Sequence, residues 1–307
     1  MITLRPMRHN PRRSESRTPR LPGLLAIVCA AALSITVLDK AHAQVGYLIP
    51  GSTYSQNFDS LPNAPENTSL GNSPTGWVDN ASSPGVSQFS IVGWYLLHPL
   101  GLAEGGASGN QRMRIGAGTA NTGAFMSYGA STSTDRALGT LPSNTLVPAG
   151  GEIYFGLRVR NDTGQTLGSF TVSYDGEQWR DGGAATPASQ PLNFSWSTTA
   201  TSLTNGSFTF EANLSYNSPW FVNTGTGNAV DGNGTGMVAV AAFTVNGLNW
   251  APGTDLWLRW ADTNSAGNDH GLAIDNFNFS AVVPEPATWA LFGIGALTFF
   301  ALRRRKQ

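Results

Sequence analysis

The segment EIYFGLRVRN, residues 152–161, alternates apolar and polar side chains with a period of two. Its apolar members are Ile153, Phe155, Leu157 and Val159. Successive side chains of an extended strand point to opposite faces, so this pattern predicts a strand with one face in a core and the other toward solvent.

The same alternation recurs in four other runs. These are SFTVSY (169–174), LNFSWS (192–197), SFTFEANL (207–214) and DLWLRW (255–260). Turn-forming stretches such as NDTG and APGTD separate the runs, and no part of residues 44–282 sustains a helical period. Many short strands joined by Gly-rich turns predict an all-β fold, an antiparallel β-sandwich of jelly-roll type.

The first 43 residues have the order of a secretory signal peptide. Six arginines lie within residues 1–20, an apolar run covers residues 24–38, and Ala41 and Ala43 supply the small residues that signal peptidase reads. We predict cleavage after Ala43, with signal peptidase and the secretion machinery as partners; a retained N-terminal anchor is the alternative. Cys29 lies in this segment, so the mature chain from Gln44 would contain no cysteine and no disulfide.

The exported body is predicted to be acidic. Residues 44–283 contain seven arginines, no lysine and sixteen acidic residues, which gives a net charge of −9. Nucleic-acid binding requires clustered Lys and Arg to neutralise phosphates, so the sequence excludes nucleic acid as a partner. Divalent cations suit such a body better.

The C-terminal stretch VVPEPATWALFGIGALTFFALRRRKQ occupies residues 282–307. Residues 287–302 are apolar apart from two threonines and two glycines, and as a helix they would span about 24 Å. Snorkelling arginines and local thinning of the bilayer can make up the difference from a full hydrocarbon core. The run therefore predicts one C-terminal membrane helix, with a buried core helix as the alternative. The basic cluster that follows would lie in the cytoplasm, and it comprises Arg303, Arg304, Arg305 and Lys306.

This tail resembles the PEP-CTERM sorting signal of Gram-negative bacteria, also called the ice-binding protein C-terminal domain. The resemblance rests on three ordered parts: the motif Val283, Pro284, Glu285 and Pro286, then the membrane helix, then the basic cluster. It implies a tail held in the inner membrane and recognised by an exosortase, a membrane transpeptidase that cuts near the motif. After processing, the protein would reside at the cell surface or in the extracellular matrix.

The expected organisation is therefore a signal peptide (1–43), an extracellular β-sandwich (44–282) and a sorting tail (283–307). The body is also similar to a bacterial extracellular β-sandwich family that often carries this tail. The similarity rests on FDSLP (58–62), DRALGTLPS (135–143), SYDGEQWRDGG (173–183) and WADTNSAGNDHGLAIDNFNFSA (260–281).

Catalytic patterns are sparse in the body. Only His98 and His270 remain in it, and neither a Gly-x-Ser-x-Gly elbow nor a His-Glu-x-x-His zinc motif is present. Glu177 and Glu211 lie in strand-like runs beside aromatic residues, but their spacing is not that of paired glycosidase carboxylates. We predict that Glu177 forms a surface ion pair with Arg180 and that the protein is not an enzyme.

Calcium is the one ion that the sequence leaves open, as a structural ion. DTNSAG (262–267) and DGNGTG (231–236) begin like calcium loops, yet Ala273 and Ala242 occupy the twelfth positions, where an EF-hand requires Glu. Asp275 is predicted to share a strand face with Ala273, Phe277 and Phe279, opposite Leu272 and Ile274, and either to pair with Arg259 or to hold an ion. The candidate calcium ligands are Asp262, Asp269 and Asp275.

Carbohydrate binding would use exposed aromatic rings as stacking platforms, and the candidates are Trp179, Trp220, Trp250 and Trp257. Trp257 is the preferred one because it alternates with core positions and should face outward with Arg259; Trp196 and Trp260 are expected in the core. Three functions remain open: a non-catalytic surface or exopolysaccharide-matrix protein, a carbohydrate-binding module, or a glycan hydrolase. The first is preferred, with exosortase as a partner and exopolysaccharide as a candidate partner.

Overall fold

The computed structural model describes residues 44–68, 70, 90–99 and 113–284. These residues form two sheets and one short 3-10 helix, Ala212–Leu214. Sheet A contains β1 (Val45–Tyr47), β3 (Trp94–Leu97), β7 (Glu152–Asn161), β9 (Pro191–Ser197), β10 (Thr209–Phe210), β11 (Tyr216–Asn217) and β14 (Asp255–Thr263). Sheet B contains β2 (Tyr54–Gln56), β4 (Met113–Gly116), β5 (Ala124–Tyr128), β6 (Ala137–Leu141), β8 (Leu167–Asp181), β12 (Asn228–Ala229), β13 (Met237–Trp250) and β15 (Gly271–Val282).

The two sheets pack face to face as a sandwich, which confirms the all-β prediction. The order is β1-β7-β14-β9-β10 in sheet A, with β3 on β7 and β11 on β9. Sheet B has the order β12-β8-β15-β6-β5-β4, with β13 on β8 and β2 on β15. Pairing is antiparallel in the described residues except between β1 and β7 and between β4 and β5.

Aromatic rings from both sheets fill the core. Trp260 of β14 lies 5.6 Å from Tyr174 of β8 and 5.7 Å from Phe277 of β15, measured between ring centroids. The apolar positions of 152–161 and of 255–260 are fully buried, as their period of two predicts. With no cysteine in the described residues, the sandwich depends on this buried apolar surface for its stability.

The run 207–214 is not the predicted strand. Only Thr209 and Phe210 of this run pair with β9, and Phe210 is exposed. The side chain of Glu211 then accepts a hydrogen bond from the backbone N–H of Asn213 and starts the 3-10 helix. A capping interaction therefore ends the strand that the alternation predicted.

A β-bulge reverses the predicted faces of β15. The register with β8 shifts between Asp275 and Asn278, and Asn276 adopts φ 49°. One extra residue restores Phe277 and Phe279 to the core side that Leu272 and Ile274 already occupy. The prediction that Asp275 shares a face with these phenylalanines is wrong for that reason.

The two ends of the sandwich differ in what they carry. At one end, the last residues of β7 pair with the first residues of β14, and Arg160 is opposite Asp255. At the same end, the Tyr47 hydroxyl donates to the carbonyl of Ala281 on β15 over 3.0 Å. We call this end, which leads to Pro284, the tail end. The opposite end, where Thr263 is paired with Glu152 and β15 begins at Gly271, is the distal end.

Within the described residues, no helix has both the length and the apolarity needed to cross a bilayer. The predicted signal peptide (1–43) and membrane helix (287–302) lie outside those residues. The division of the chain into these three segments stays a prediction.

Candidate ligand-binding cleft

A cleft of about 500 Å³ opens at the distal end of the sandwich. The loops that follow β4, β6, β11 and β14 contribute to its wall, and the strand β8 contributes Arg180. The polar side chains of the wall belong to Thr119, Asn121, Ser143, Asn144, Arg180, Thr226, Asn264, Asn268 and Asp269. Loop residues at the ends of strands are well placed to hold a ligand because the sheets below them are rigid.

Asn264 fixes the shape of one wall. Its side-chain amide donates to the carbonyl of Val147 over 2.7 Å and to the side-chain oxygen of Asn144 over 2.9 Å. Its backbone carbonyl accepts from Gly150 and its backbone N–H donates to Gly151. These contacts join the loop after β14 to the loop after β6, so the cleft is largely formed without a ligand.

Arg180 forms the floor on the β8 side. Its guanidinium donates to the backbone carbonyl of Gly118 over 2.9 Å and packs against the backbone of Gly227, where a Cβ would lie 2.1 Å from Nη2. Burial lowers the pKa of Arg180 from its ordinary value. No carboxylate lies within ion-pair distance of Arg180 in the part of the chain that the structure describes.

Asp269 is the carboxyl group of the cleft. It accepts a hydrogen bond of 2.6 Å from the backbone N–H of Ser265, and burial raises its pKa to about 7. Deeper in the same end, Asp262 of β14 accepts from the hydroxyl of Thr140 on β6 over 2.5 Å and so connects the two sheets. Burial raises the pKa of Asp262 well above its ordinary range, which favours the neutral acid there.

The three predicted calcium ligands do not form one site. Asp262 and Asp269 belong to the distal end, whereas Asp275 lies in the bulge of β15, opposite Asp175. Burial raises the pKa of Asp275 to about 7. Across residues 44–68, 70, 90–99 and 113–284, no group of three or more His, Cys, Asp or Glu side chains is arranged to hold a metal ion. Calcium binding itself stays an untested prediction.

Trp257 is not the exposed platform that the sequence predicts. Its ring points away from the main core as expected, yet it is 0% exposed. Tyr95, Ala200 and Leu203 cover it in a second small core, with the Tyr95 ring 4.9 Å away. The prediction of an exposed ring is wrong because the Tyr95 side chain of the neighbouring strand β3 and the loop after β9 cover that face of sheet A.

The guanidinium of Arg259 is likewise occupied by contacts within the protein. Its guanidinium lies 3.8 Å from the ring centroid of Phe208, and Nη1 donates to the carbonyl of Leu203 over 2.9 Å. The predicted pairing with Asp275 is wrong because Arg259 belongs to sheet A and Asp275 to sheet B. Arg259 fastens the loop that covers Trp257.

Among the four tryptophans proposed as platforms, only Trp220 is exposed, at 47%. Trp179 stacks on Tyr128 with the planes 4° apart, and Trp250 is fully buried. Trp260 is in the core, as predicted, whereas Trp196 is only partly buried and packs against the core. Trp220 and the exposed Phe221 lie on the chain segment that continues to residues 225–227 of the cleft wall.

A buried polar network that the sequence analysis missed holds the Trp220 loop. His270 Nε2 lies 3.2 Å from Asp181 Oδ1, and His270 Nδ1 lies 2.9 Å from Ser218 Oγ. Gln178 accepts from the backbone N–H of Trp220 over 2.9 Å. Burial lowers the pKa of His270, which favours the neutral ring, and a neutral ring protonated at Nε2 can donate to Asp181.

This network has the composition of a Ser-His-Asp triad without its accessibility. Ser218 and His270 are each 2% exposed, and Ser218 Oγ also accepts from the backbone N–H of Gln190. A nucleophile must reach its substrate, whereas these buried side chains lie among the contacts that hold the Trp220 loop. No motif in the sequence marks these residues, because they come from β8, the turn after β11 and the start of β15.

The two glutamates considered for catalysis have structural contacts. Glu177 is buried, accepts from the indole N–H of Trp179 over 2.7 Å, and has its pKa raised to about 8 by burial. The predicted surface ion pair of Glu177 with Arg180 is therefore wrong. Glu211 caps the 3-10 helix beside sheet A, whereas Glu177 belongs to sheet B, so the two glutamates lie on different sheets.

The start of the predicted sorting motif is the last described part of the chain. Val283 packs against the core, and Pro284 packs on Gly168, where an added Cβ would lie 2.6 Å from Pro284 Cγ. The remaining residues singled out for sorting and cleavage lie outside the described residues: Ala41, Ala43, Glu285, Pro286, Arg303, Arg304, Arg305 and Lys306.

The family model of the PEP-CTERM protein-sorting motif matches residues 282–306. The chain ends in a PEP-CTERM sorting motif. This confirms the resemblance found in the sequence, and the motif is the signal that exosortase recognises. A PEP-CTERM motif implies export and anchoring in the membrane before processing.

Several solved structures resemble the sandwich at low identity. The CBM22-1 xylan-binding domain of Paenibacillus barcinonensis Xyn10C is 12% identical, with 78% of this chain and 99% of that domain covered and a TM-score of 0.28. The carbohydrate-binding module TmCBM61, solved with β-1,4-galactotriose, is 8% identical over 49% of this chain and 74% of that one, with a TM-score of 0.24. The arabinose-bound α-L-arabinofuranosidase MgGH51 is 11% identical over 78% of this chain and 30% of that one, with a TM-score of 0.31. Structural similarity at this level carries no conclusion about ligand or activity. No curated protein matches the chain.

Proposed function

We propose that this PEP-CTERM protein is displayed at the cell surface or in the exopolysaccharide matrix, where its non-catalytic sandwich binds carbohydrate in the distal cleft. Exosortase would process the tail, and the body would act outside the cell. The observation that carries the binding proposal is the cleft itself, with its amide, hydroxyl, carboxyl and guanidinium groups converging on one space.

The chemistry of the cleft suits sugar hydroxyl groups. Each hydroxyl both donates and accepts, and the side chains of Asn121, Asn144 and Asn268 can do the same. The volume of about 500 Å³ falls within the range of small-ligand sites. The exposed ring of Trp220, on the loop that leads to the cleft wall, offers an apolar face on which a pyranose ring could stack.

The carboxyl groups near the cleft support binding over hydrolysis. Glycoside hydrolysis requires two carboxyl groups facing one bond, separated by about 5–10 Å. Asp269 is the acidic side chain of the cleft wall, and Glu177 is buried beneath Trp179. A single partly neutral carboxyl can bind a hydroxyl group but does not supply the acid and the base together.

The position of the cleft also supports a role outside the cell. Strand β14 runs from the tail end to the distal end over nine residues, which corresponds to about 30 Å. The cleft therefore faces away from the point where the tail leaves the sandwich. A protein anchored by that tail would present the cleft toward the surrounding matrix.

Glycan-array binding followed by titration calorimetry tests the proposal. We expect the exported protein to bind a defined oligosaccharide, and Asn121→Ala combined with Asn268→Ala to weaken binding by about thirtyfold, since each of the two lost hydrogen bonds contributes roughly 1 kcal/mol. Both asparagines are exposed, so the fold should persist.

The matched pair Trp220→Ala and Phe210→Ala separates stacking from a general loss of exposed aromatic surface. Both rings are exposed, but Phe210 lies on β10, away from the cleft wall. We expect only Trp220→Ala to weaken binding. Failure of the unaltered protein to bind any glycan would contradict the proposal and favour a purely structural matrix component.

A further inference from the structure

The tail end carries an exposed apolar patch formed by Leu48, Ile49, Val92 and Val282. Their exposures are 69%, 65%, 64% and 44%. Leu48 and Val92 also line an apolar groove of about 760 Å³ together with Val45 and Ile91. Side chains of this kind normally lie against another surface when several gather at one place.

The patch is fixed to the strand that leads into the tail. The backbone N–H of Gly51 donates to the carbonyl of Ala281 over 2.7 Å, and the backbone N–H of Ala281 donates to the hydroxyl of Tyr47 over 2.8 Å. A Cβ on Gly51 would lie 3.9 Å from Val282 Cγ1. The loop of Leu48 and Ile49 therefore sits beside the point where β15 ends.

The distance from this point to the apolar run of the tail is short. Only Glu285 and Pro286 separate Pro284 from Ala287, so three Cα steps cover at most about 11 Å. When residues 287–302 are in a bilayer, the tail end must lie at its surface. The short connection leaves no room for a second globular element between the patch and the lipid.

The charges around the patch are balanced. Arg160 Nε lies 3.2 Å from Asp162 Oδ1, and Arg158 Nη2 lies 2.6 Å from Asp255 Oδ2. The body as a whole is strongly acidic and would be repelled by anionic headgroups, but these pairs leave the tail end close to neutral. This end can therefore approach an anionic surface that the rest of the body avoids.

We propose that Leu48, Ile49, Val92 and Val282 rest on the bilayer surface while the tail is inserted, which orients the sandwich with its cleft outward before processing. The proposal depends on membrane insertion of the tail. Leu48 and Ile49 enter the boundary between headgroups and acyl chains, as the apolar faces of interfacial segments do. Cutting near the motif releases the tail and leaves a weakly held patch, so the body can depart.

Site-specific fluorescence on the full chain tests this contact. Replacement of Cys29 by Ser gives a chain without cysteine, so Leu48→Cys, Phe221→Cys and Thr298→Cys each accept one environment-sensitive label. Each labelled chain is reconstituted in vesicles of phosphatidylethanolamine and phosphatidylglycerol that contain nitroxide on the headgroup or on the acyl chain. Leu48 and Phe221 are both exposed apolar residues, at the tail end and the distal end respectively, so they form a matched pair.

We expect the headgroup nitroxide to quench the label at position 48 several-fold more strongly than the label at 221. The acyl-chain nitroxide should quench the label at 298. A quenched 298 label with equal, weak quenching at 48 and 221 overturns the lipid contact and leaves tail insertion intact. An unquenched 298 label overturns tail insertion and the contact together. If the label at position 48 moves to an apolar environment only when exosortase is added, and lipid nitroxide does not quench it, the patch binds exosortase. That result overturns the lipid contact.

Discussion

Glu177 shows how much a single side chain depends on its surroundings. The sequence predicts a surface ion pair between Glu177 and Arg180, whereas in the structure Glu177 is buried beside Trp179 with its pKa raised to about 8. A buried carboxyl that stays protonated in the folded state makes the protein less stable as pH rises. The reason is that the same carboxyl loses its proton at a much lower pH in the unfolded chain.

Glu177→Gln should therefore flatten the dependence of stability on pH. Because the pKa of Glu177 is raised, its ionisation should lower the free energy of unfolding of the unaltered protein between about pH 4.5 and pH 8. The amide of the variant does not titrate, so this contribution to the fall should be missing. At pH 8 the variant should be more stable by at least about 2 kcal/mol. Urea denaturation of both proteins across this range measures the difference.

The comparison of the two profiles isolates Glu177, because Asp269, Asp275 and His270 titrate in both proteins. Parallel profiles would show that the carboxyl is ionised in the folded state, in conflict with its burial.

At the same scale, Trp257 marks the limit of what the sequence can predict. The alternation in DLWLRW correctly places the Trp257 ring on the face opposite Leu256 and Leu258. It cannot reveal that Tyr95 and Leu203 cover that face, because these residues lie far away in the sequence. A period of two predicts the side of a strand, whereas burial depends on what else packs there.

Among the elements, β15 depends on its bulge. Asn276 occupies the left-handed region at φ 49°, which Asn tolerates better than most residues other than Gly. The bulge lets Phe277 and Phe279 follow Leu272 and Ile274 into one core. The sequence offers no turn signal at this position, so the alternation alone predicted the wrong faces.

Asn276→Val should destabilise the protein by about 1–2 kcal/mol, because a β-branched side chain fits poorly at positive φ. Chemical denaturation measures the loss. Ser280→Val, on the same strand beyond the bulge, is the matched control and should change stability little, since β-branched residues suit a regular strand. Equal effects of the two substitutions would argue against strain at Asn276.

The loops of the distal end were only partly predictable. The stretch DTNSAG was singled out for its oxygen-bearing side chains, and Asn264 and Gly267 do line the cleft, with Asp269 just beyond the stretch. Their partners Asn121, Asn144 and Arg180 come from other loops and from β8, and only the packing of the two sheets brings them to the same end. The Asx-rich composition therefore indicated a polar loop but not the cleft that it helps to form.

For the molecule as a whole, the two ends of the sandwich have different surfaces. The tail end joins the apolar patch to the sorting motif, and the distal end carries the polar cleft and the exposed Trp220. Antiparallel strands that run the length of the sandwich keep these regions apart. In the proposed function, membrane contact and carbohydrate binding would therefore occupy separate ends of one sandwich.

The most direct test of the central claim is the intact mass of the protein recovered from its native host, in the membrane and extracellular fractions. We expect the extracellular form to begin at Gln44 and to end near Pro286, because the signal peptide and the sorting tail have been removed. An extracellular form that still ends at Gln307 would contradict processing of the tail by exosortase.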